Sequence, residues 1–351
     1  MCTTTSVTSR QVGVETKEQP SRNKVEMTSH HTRSPTPRLR RHNSFALLEV
    51  HTVKDMISYT LVGILAGCLI SWFSVTFPTL LFPQAATATY ILAGYVYDSE
   101  TSHFDNTIWT YGTDYIIAIV MMYHIYRFPK ASQESSTIAR YSQALLWSYA
   151  SSVFFGGWCH QFYTHMDSRN TWHFRLFWSL CVGSVTAGLA FMGSIATEMV
   201  RRDETMLCAF LPALPGWFWF GTGATVSCLM ALGQFSFQRP ACDIFVAGVS
   251  QSPSTFYIMA MLLYGLPTFQ IRQQTRYFGL VAFAMMSLTL PVYPLVITYT
   301  NLSLGTVNGL LHLWLCCTWS LQALTLRSIV MAIDSSVKKH SLIPIKRQER
   351  L

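Results

Sequence analysis

Apolar residues gather along this chain into long runs, separated by short polar stretches that hold nearly all of the charge. Crossing the hydrocarbon core of a bilayer takes about 20 apolar residues in a helix. Eight runs come close to that length: Met56 to Phe82, Ile108 to Tyr126, Tyr141 to Tyr163, Trp172 to Met199, Met206 to Phe235, Asp243 to Leu266, Tyr277 to Thr298 and Thr306 to Val330. Residues 84–97 are apolar but short, and read as a lumenal or interfacial segment. Pro212 and Pro215 open the fifth run, Gln251 and Pro253 interrupt the sixth, and Pro291 and Pro294 lie in the seventh. Membrane helices tolerate such prolines where neighbouring helices re-satisfy the freed carbonyls. The pattern predicts an all-α fold, a polytopic membrane helix bundle over residues 56–332. It has about eight transmembrane helices, one N-terminal helix followed by a seven-helix core.

The ends of the chain differ in kind. Residues 1–55 begin with a Ser-, Thr-, Arg- and Pro-rich stretch too poor in large apolar side chains to offset ordering, which predicts a disordered basic tail. The cluster Arg38-Leu-Arg-Arg upstream of Ser44 marks a candidate phosphosite, although a solvated basic tail explains it as simply. The extreme N-terminus has no signal-peptide pattern, while its Ser and Arg content leaves an organellar transit peptide open. Residues 333–351 form a second basic tail.

Loop charge orients the bundle. Lys54, Arg127, Lys130, Arg140, Arg201, Arg202, Arg272 and Arg276 fall in alternate connections, with Lys338, Lys339, Lys346 and Arg347 after the last helix. The intervening connections hold only Arg169 and Arg239. Basic loops stay on the cytosolic side, so both termini are expected in the cytosol of an endoplasmic reticulum or plasma membrane protein. Asn301-Leu-Ser303 is then a glycosylation sequon on the outer side, too close to the bilayer for ready modification.

Composition agrees. Only 12% of residues are charged, against about 25% in soluble domains. The nine cysteines form no CxxC pair, so a metal-finger or disulfide framework is not expected. Cys159 and Cys242 fall near the same predicted face and are the one pair placed to bridge, though two free thiols is the simpler reading.

Ionisable groups inside membrane helices are costly, and therefore mark function. Asp114 in the second helix, His160 in Gly156-Gly-Trp-Cys-His160 of the third, and His312 in the eighth all fall within roughly 5–10 Å of one interface at 1.5 Å of rise per residue. Tyr149, Ser152, Gly156 and His160 recur on one helical face, as do Asn308, His312, Cys316 and Ser320. These stripes predict a shared lumen-facing cavity. Two imidazoles and a carboxylate suit zinc, which would leave a position for water and lower its pKa to about 7. Asp114, His160 and His312 are the candidate metal ligands, Ser152 the candidate catalytic residue, and His165 or His173 a further nitrogen. Each has a plainer role: a histidine can simply bond a neighbouring helix, and Asp114 can pair with Arg175 or His173. His124 and Glu198 lie near cytosolic ends, Trp109, Trp158 and Trp172 at interfaces, and Ser184 with Gly188 forms a packing pair.

Ser151-Ser152 followed by His160 in one helix, with His312 in the last, resembles the seven-helix membrane hydrolases of the alkaline ceramidase, progestin-receptor-like and Per1 superfamily. The resemblance implies a seven-helix core, a bound metal and hydrolysis. Asn308 and Cys316 stand where that family's HxxxH would place a second histidine, and the serine-to-histidine spacing also differs.

Several functions are excluded. Lys130, in a loop, is the sole lysine between the first helix and the end of the last, so no lysine is available for a retinal Schiff base. There is no GxxxxGK[ST] loop, no paired-histidine di-iron pattern and no TVGYG-like filter. The basic tails lack interleaved aromatics, which argues against nucleic acid as a partner and leaves membrane lipids. Three classes remain: a metal-dependent lipid hydrolase, a proton-coupled transporter, and a receptor whose cavity does no chemistry.

Overall fold

The computed structural model describes residues 52–81, 105–133, 135–169, 171–202, 211, 213–231, 243–265 and 271–341. The expected N-terminal tail up to residue 51, the short apolar segment 84–97 and the last ten residues lie outside this set. The described chain is all-helical, with no strand. In order the helices are α1 (Val53–Leu81), α2 (Ile108–Tyr126), α3 (Ser136–Phe162), the single turn α4 (Met166–Arg169), α5 (Trp172–Arg202), α6 (Gly216–Ala231), α7 (Asp243–Ala260), α8 (Gln273–Tyr299) and α9 (Leu304–Ser341). A π-helical turn, Met261–Gly265, continues α7.

Three of these helices contain stretches long and apolar enough to cross a membrane: Val53–Ser74 in α1, Trp172–Arg202 in α5 and Leu304–Ser335 in α9. This fits a membrane protein. The other long helices fall short for visible reasons. α6 covers only 16 residues, α3 is diluted by serine, glutamine and arginine, and α7 carries Gln251 and Pro253. The last helix continues to Ser341, into the stretch expected as a tail.

Packing order follows from which helix faces are apolar and small. α3 packs on α2 and α5 and touches α9. α9 also lies against α2 and α8, α7 lies between α5 and α8, and α6 joins α1 to α5. The main core gathers Ile117, Leu145, Tyr149, Met192, Phe283 and Trp319 from five helices. α1 meets α6 through glycines on both sides. A Cβ on Gly63 would collide with the Phe218 carbonyl, and one on Gly221 would lie 2.5 Å from the Thr60 carbonyl. Such backbone approach is how membrane helices gain dispersion contact without a hydrophobic driving force. The far side of α1 exposes Leu61, Leu65, Leu69 and Trp72, as a lipid-facing helix does.

Candidate functional site: a buried acid–imidazole cavity

The N-terminal half of α2 packs on the C-terminal half of α3, where Gly156 and Gly157 remove the side chains that would hold the helices apart. A Cβ on Gly157 would lie 3.0 Å from Asp114 Cβ and 3.3 Å from the Tyr111 carbonyl. Asp114 is therefore pressed into the bundle and is only 3% exposed. α9 closes the third side and brings His312, itself buried, against the carboxylate: His312 Nε2 lies 3.2 Å from Asp114 Oδ1.

The hydrogen bonds count the protons. Thr113 has one hydroxyl hydrogen, which its position in α2 directs to the Trp109 or Thr110 carbonyl. Its oxygen, 2.7 Å from His312 Nδ1, then accepts, so Nδ1 carries hydrogen. Nε2 then faces the Asp114 carboxyl, and a proton shared between the two groups would make the pair neutral as a whole, which lowers the cost of burying it.

His160 is fixed from the other end. Its Nδ1 lies 2.7 Å from the Asp105 main-chain carbonyl, which can only accept. In the neutral ring Nε2 is then the basic nitrogen. Asp105 is itself anchored: its carboxylate takes the Thr107 amide at 3.2 Å, the Thr107 hydroxyl at 2.8 Å and the Thr110 hydroxyl. Burial alone would raise its pKa, but the Thr110 and Thr107 hydrogen bonds and the nearby His160 together outweigh it, and the carboxyl sits below its ordinary value. Asp105 lies in the polar connection just before α2. The signal was there in Asp105-Asn-Thr107 just before a helix, the pattern of a carboxylate bonding its own backbone two residues on.

Asp114, Ser152, His160 and His312 line one cavity of about 80 Å³. The remaining wall is apolar, with Trp178 and Val182 from α5, Leu290 from α8, and Leu311, Leu315 and Trp319 from α9. Ser152 Oγ lies 3.7 Å from Cys181 Sγ, which lines the cavity as well. An apolar pocket with a few convergent polar groups is the usual form of a ligand site.

Some sequence expectations fall elsewhere. Asp114 pairs with His312, not with Arg175 or His173. His165 and His173 are exposed, His173 stacking on Trp172 at 3.8 Å, and neither lines the cavity. Cys159 is a buried free thiol, while Cys242 lies outside the described residues.

Among the described residues no group of three or more His, Cys, Asp or Glu side chains is gathered tightly enough to hold a metal ion. The donor chemistry still suits one. Both imidazoles commit Nδ1 to a protein oxygen, as metal-ligating histidines do with their second nitrogen. The 3.2 Å between Asp114 Oδ1 and His312 Nε2 is close to the roughly 3.3 Å separating two ligand atoms about 2.0 Å from one tetrahedral zinc. Asp114 and His312 thus make a two-donor set, with His160 on the same cavity wall.

Comparison with protein-family models, curated proteins and solved structures found no match to this chain.

Proposed function

We propose that the chain is a polytopic membrane protein of about eight spans whose cavity is the site of a metal-dependent hydrolase acting on membrane lipid. One observation carries the reading: four polar residues from three separate helices, Asp114, Ser152, His160 and His312, line a single, otherwise apolar cavity. Asp114, His160 and His312 would hold a divalent metal such as zinc, which when bound acidifies water and polarises a carbonyl. The chain's own groups supply the rest. Asp114 and His312 would hold the metal through deprotonated ligand atoms, so metal uptake would compete with protons. Ser152 donates a hydrogen bond to the carbonyl of an ester or amide. Leu290, Leu311, Leu315 and Trp319 exclude bulk water from the polar groups.

Helices α2 and α3, which fall short of span composition, supply Asp114, Ser152 and His160 to the site, and polar residues in spanning helices turn toward the bundle interior. The distribution of arginine and lysine orients both termini to the cytosol, with the cavity near the opposite face, in an endoplasmic reticulum or plasma membrane.

The direct Asp114–His312 contact favours a second reading, a proton-coupled carrier in which the pair loads and releases its proton. The two separate on assay. Purified protein in lipid vesicles is offered ester- and amide-linked lipids, with Ser152→Ala and Asp114→Asn beside wild type. The hydrolase reading expects fatty acid release by wild type alone. Absence of release, with acid-driven uptake that Asp114→Asn abolishes, would replace it by the carrier.

A further inference from the structure

Behind the cavity lies a second polar layer at the centre of the bundle. Gln251 from α7 and Gln322 from α9 are 2% and 0% exposed, and Tyr149 from α3 is fully buried between them. Tyr149 donates to Gln322 Oε1 at 3.1 Å and stacks on Trp319 with ring centroids 4.2 Å apart. Gln251 Nε2 donates to the Ala247 carbonyl at 3.0 Å. Ala247 and Trp319 both line the cavity, so this layer is one side chain deeper. Gly188 gives it room: a Cβ there would lie 3.2 Å from Gln251 Oε1 and 3.4 Å from the Tyr149 ring.

Two atoms of this layer have no partner among the described residues, the acceptor Gln251 Oε1 and the donor Gln322 Nε2. The same holds for the buried hydroxyls of Ser142 and Ser135. Ser142 stands seven residues before Tyr149 and Ser135 seven before that, on nearly one face and about 10 Å apart at each step. Other buried hydroxyls in this bundle, those of Ser148, Ser250 and Thr186, donate to carbonyls of their own helices. The four unpaired groups do not. Leaving such a group dry costs the full desolvation penalty of a donor or acceptor. Water that finds two to four polar partners relieves that cost.

We propose that ordered water fills this layer, bound by Gln251 Oε1 and Gln322 Nε2 beside the Tyr149 hydroxyl. A hydrolytic site in a membrane consumes one water for each bond it breaks, and water held one side chain behind the cavity supplies it without opening the apolar wall. The inference rests on the unpaired groups and not on the metal, so it stands apart from the hydrolase reading.

Millisecond X-ray hydroxyl-radical labelling of the purified full chain, read by peptide mass spectrometry, tests it, because bound water generates radicals where it sits. Tyr149 and Met192 are the reporters. Both are 0% exposed, and Met192 Sδ lies 3.9 Å from the Tyr149 hydroxyl and 3.7 Å from the Thr255 hydroxyl. Met230, 4% exposed in an apolar cluster on α6, is the dry control. The proposal expects Tyr149 and Met192 to label well ahead of Met230, and to fall to its level in the Gln251→Leu, Gln322→Leu double variant. Labelling no faster than Met230 in wild type overturns it, as does labelling that the double variant leaves unchanged. The wild-type comparison holds even if that variant fails to fold.

Discussion

His312 Nε2 and Asp114 Oδ1 meet at 3.2 Å across the α2–α9 contact, both buried. Neither partner is expected to tolerate losing the other. His312→Ala leaves a carboxyl buried without its imidazole. Breaking a buried pair in this way costs about 3–5 kcal/mol. Asp114→Asn keeps a donor facing Nε2 and is expected to lose much less stability. Thermal unfolding in detergent checks the order, which equal losses in the two variants would reverse.

Gly156 and Gly157 separate packing from chemistry. A Cβ on Gly157 presses on Asp114 Cβ and the Tyr111 backbone, and neither can move away. Gly157→Ala is expected to destabilise by about 1–3 kcal/mol, the usual cost of overpacking. At Gly156 the nearest atoms are Cys181 Sγ at 3.4 Å and Asp114 Oδ2 at 3.6 Å, ordinary contacts. Gly156→Ala should fold normally, and should lower activity by narrowing the cavity beside Asp114. Melting temperature and turnover measured together distinguish the two positions.

Asp105 gives the bundle an acid-sensitive anchor. Its folded pKa is depressed, so its contribution is present above its unfolded pKa of about 3.9 and is lost as pH falls through the lower folded value. Wild type should therefore lose more stability than Asp105→Asn on acidification from pH 6 to pH 3. Parallel acid-induced melting curves for the two proteins would contradict this.

The charge-derived orientation has its own test. A sequon appended after Leu351 is expected to remain unglycosylated in microsomes, while one carried on a spacer inserted at Asn301, an exposed loop position, is expected to be modified. Glycosylation of the C-terminal sequon alone would invert the bundle.

Periodicity made much of this legible. Helix α2 runs over Ile108–Tyr126 as its apolar run predicts, because a polar loop bounds it on each side. Asp114, His160 and His312, set at one level by counting residues from the expected helix ends, do line one cavity. What depth does not specify is which helices are neighbours. That Asp114 meets His312 and not Arg175 depends on α9 packing on α2, a choice made by side-chain fit across the whole bundle. The role of Asp105 also lay beyond helix reading, because it acts through a main-chain carbonyl on His160. The glutamine layer was visible only as an interruption by Gln251, since its meaning comes from Tyr149 and Gln322 on other helices.

Metal content of the purified wild type by plasma mass spectrometry, beside His160→Ala and His312→Ala, tests the central claim most directly. The account predicts about one zinc or similar divalent ion per chain, the stoichiometry of a single catalytic site. It predicts that ion lost from both variants, and lost from wild type as pH falls and the ligand atoms become protonated. Folded wild-type protein without stoichiometric metal, or with metal that both variants retain, would contradict it.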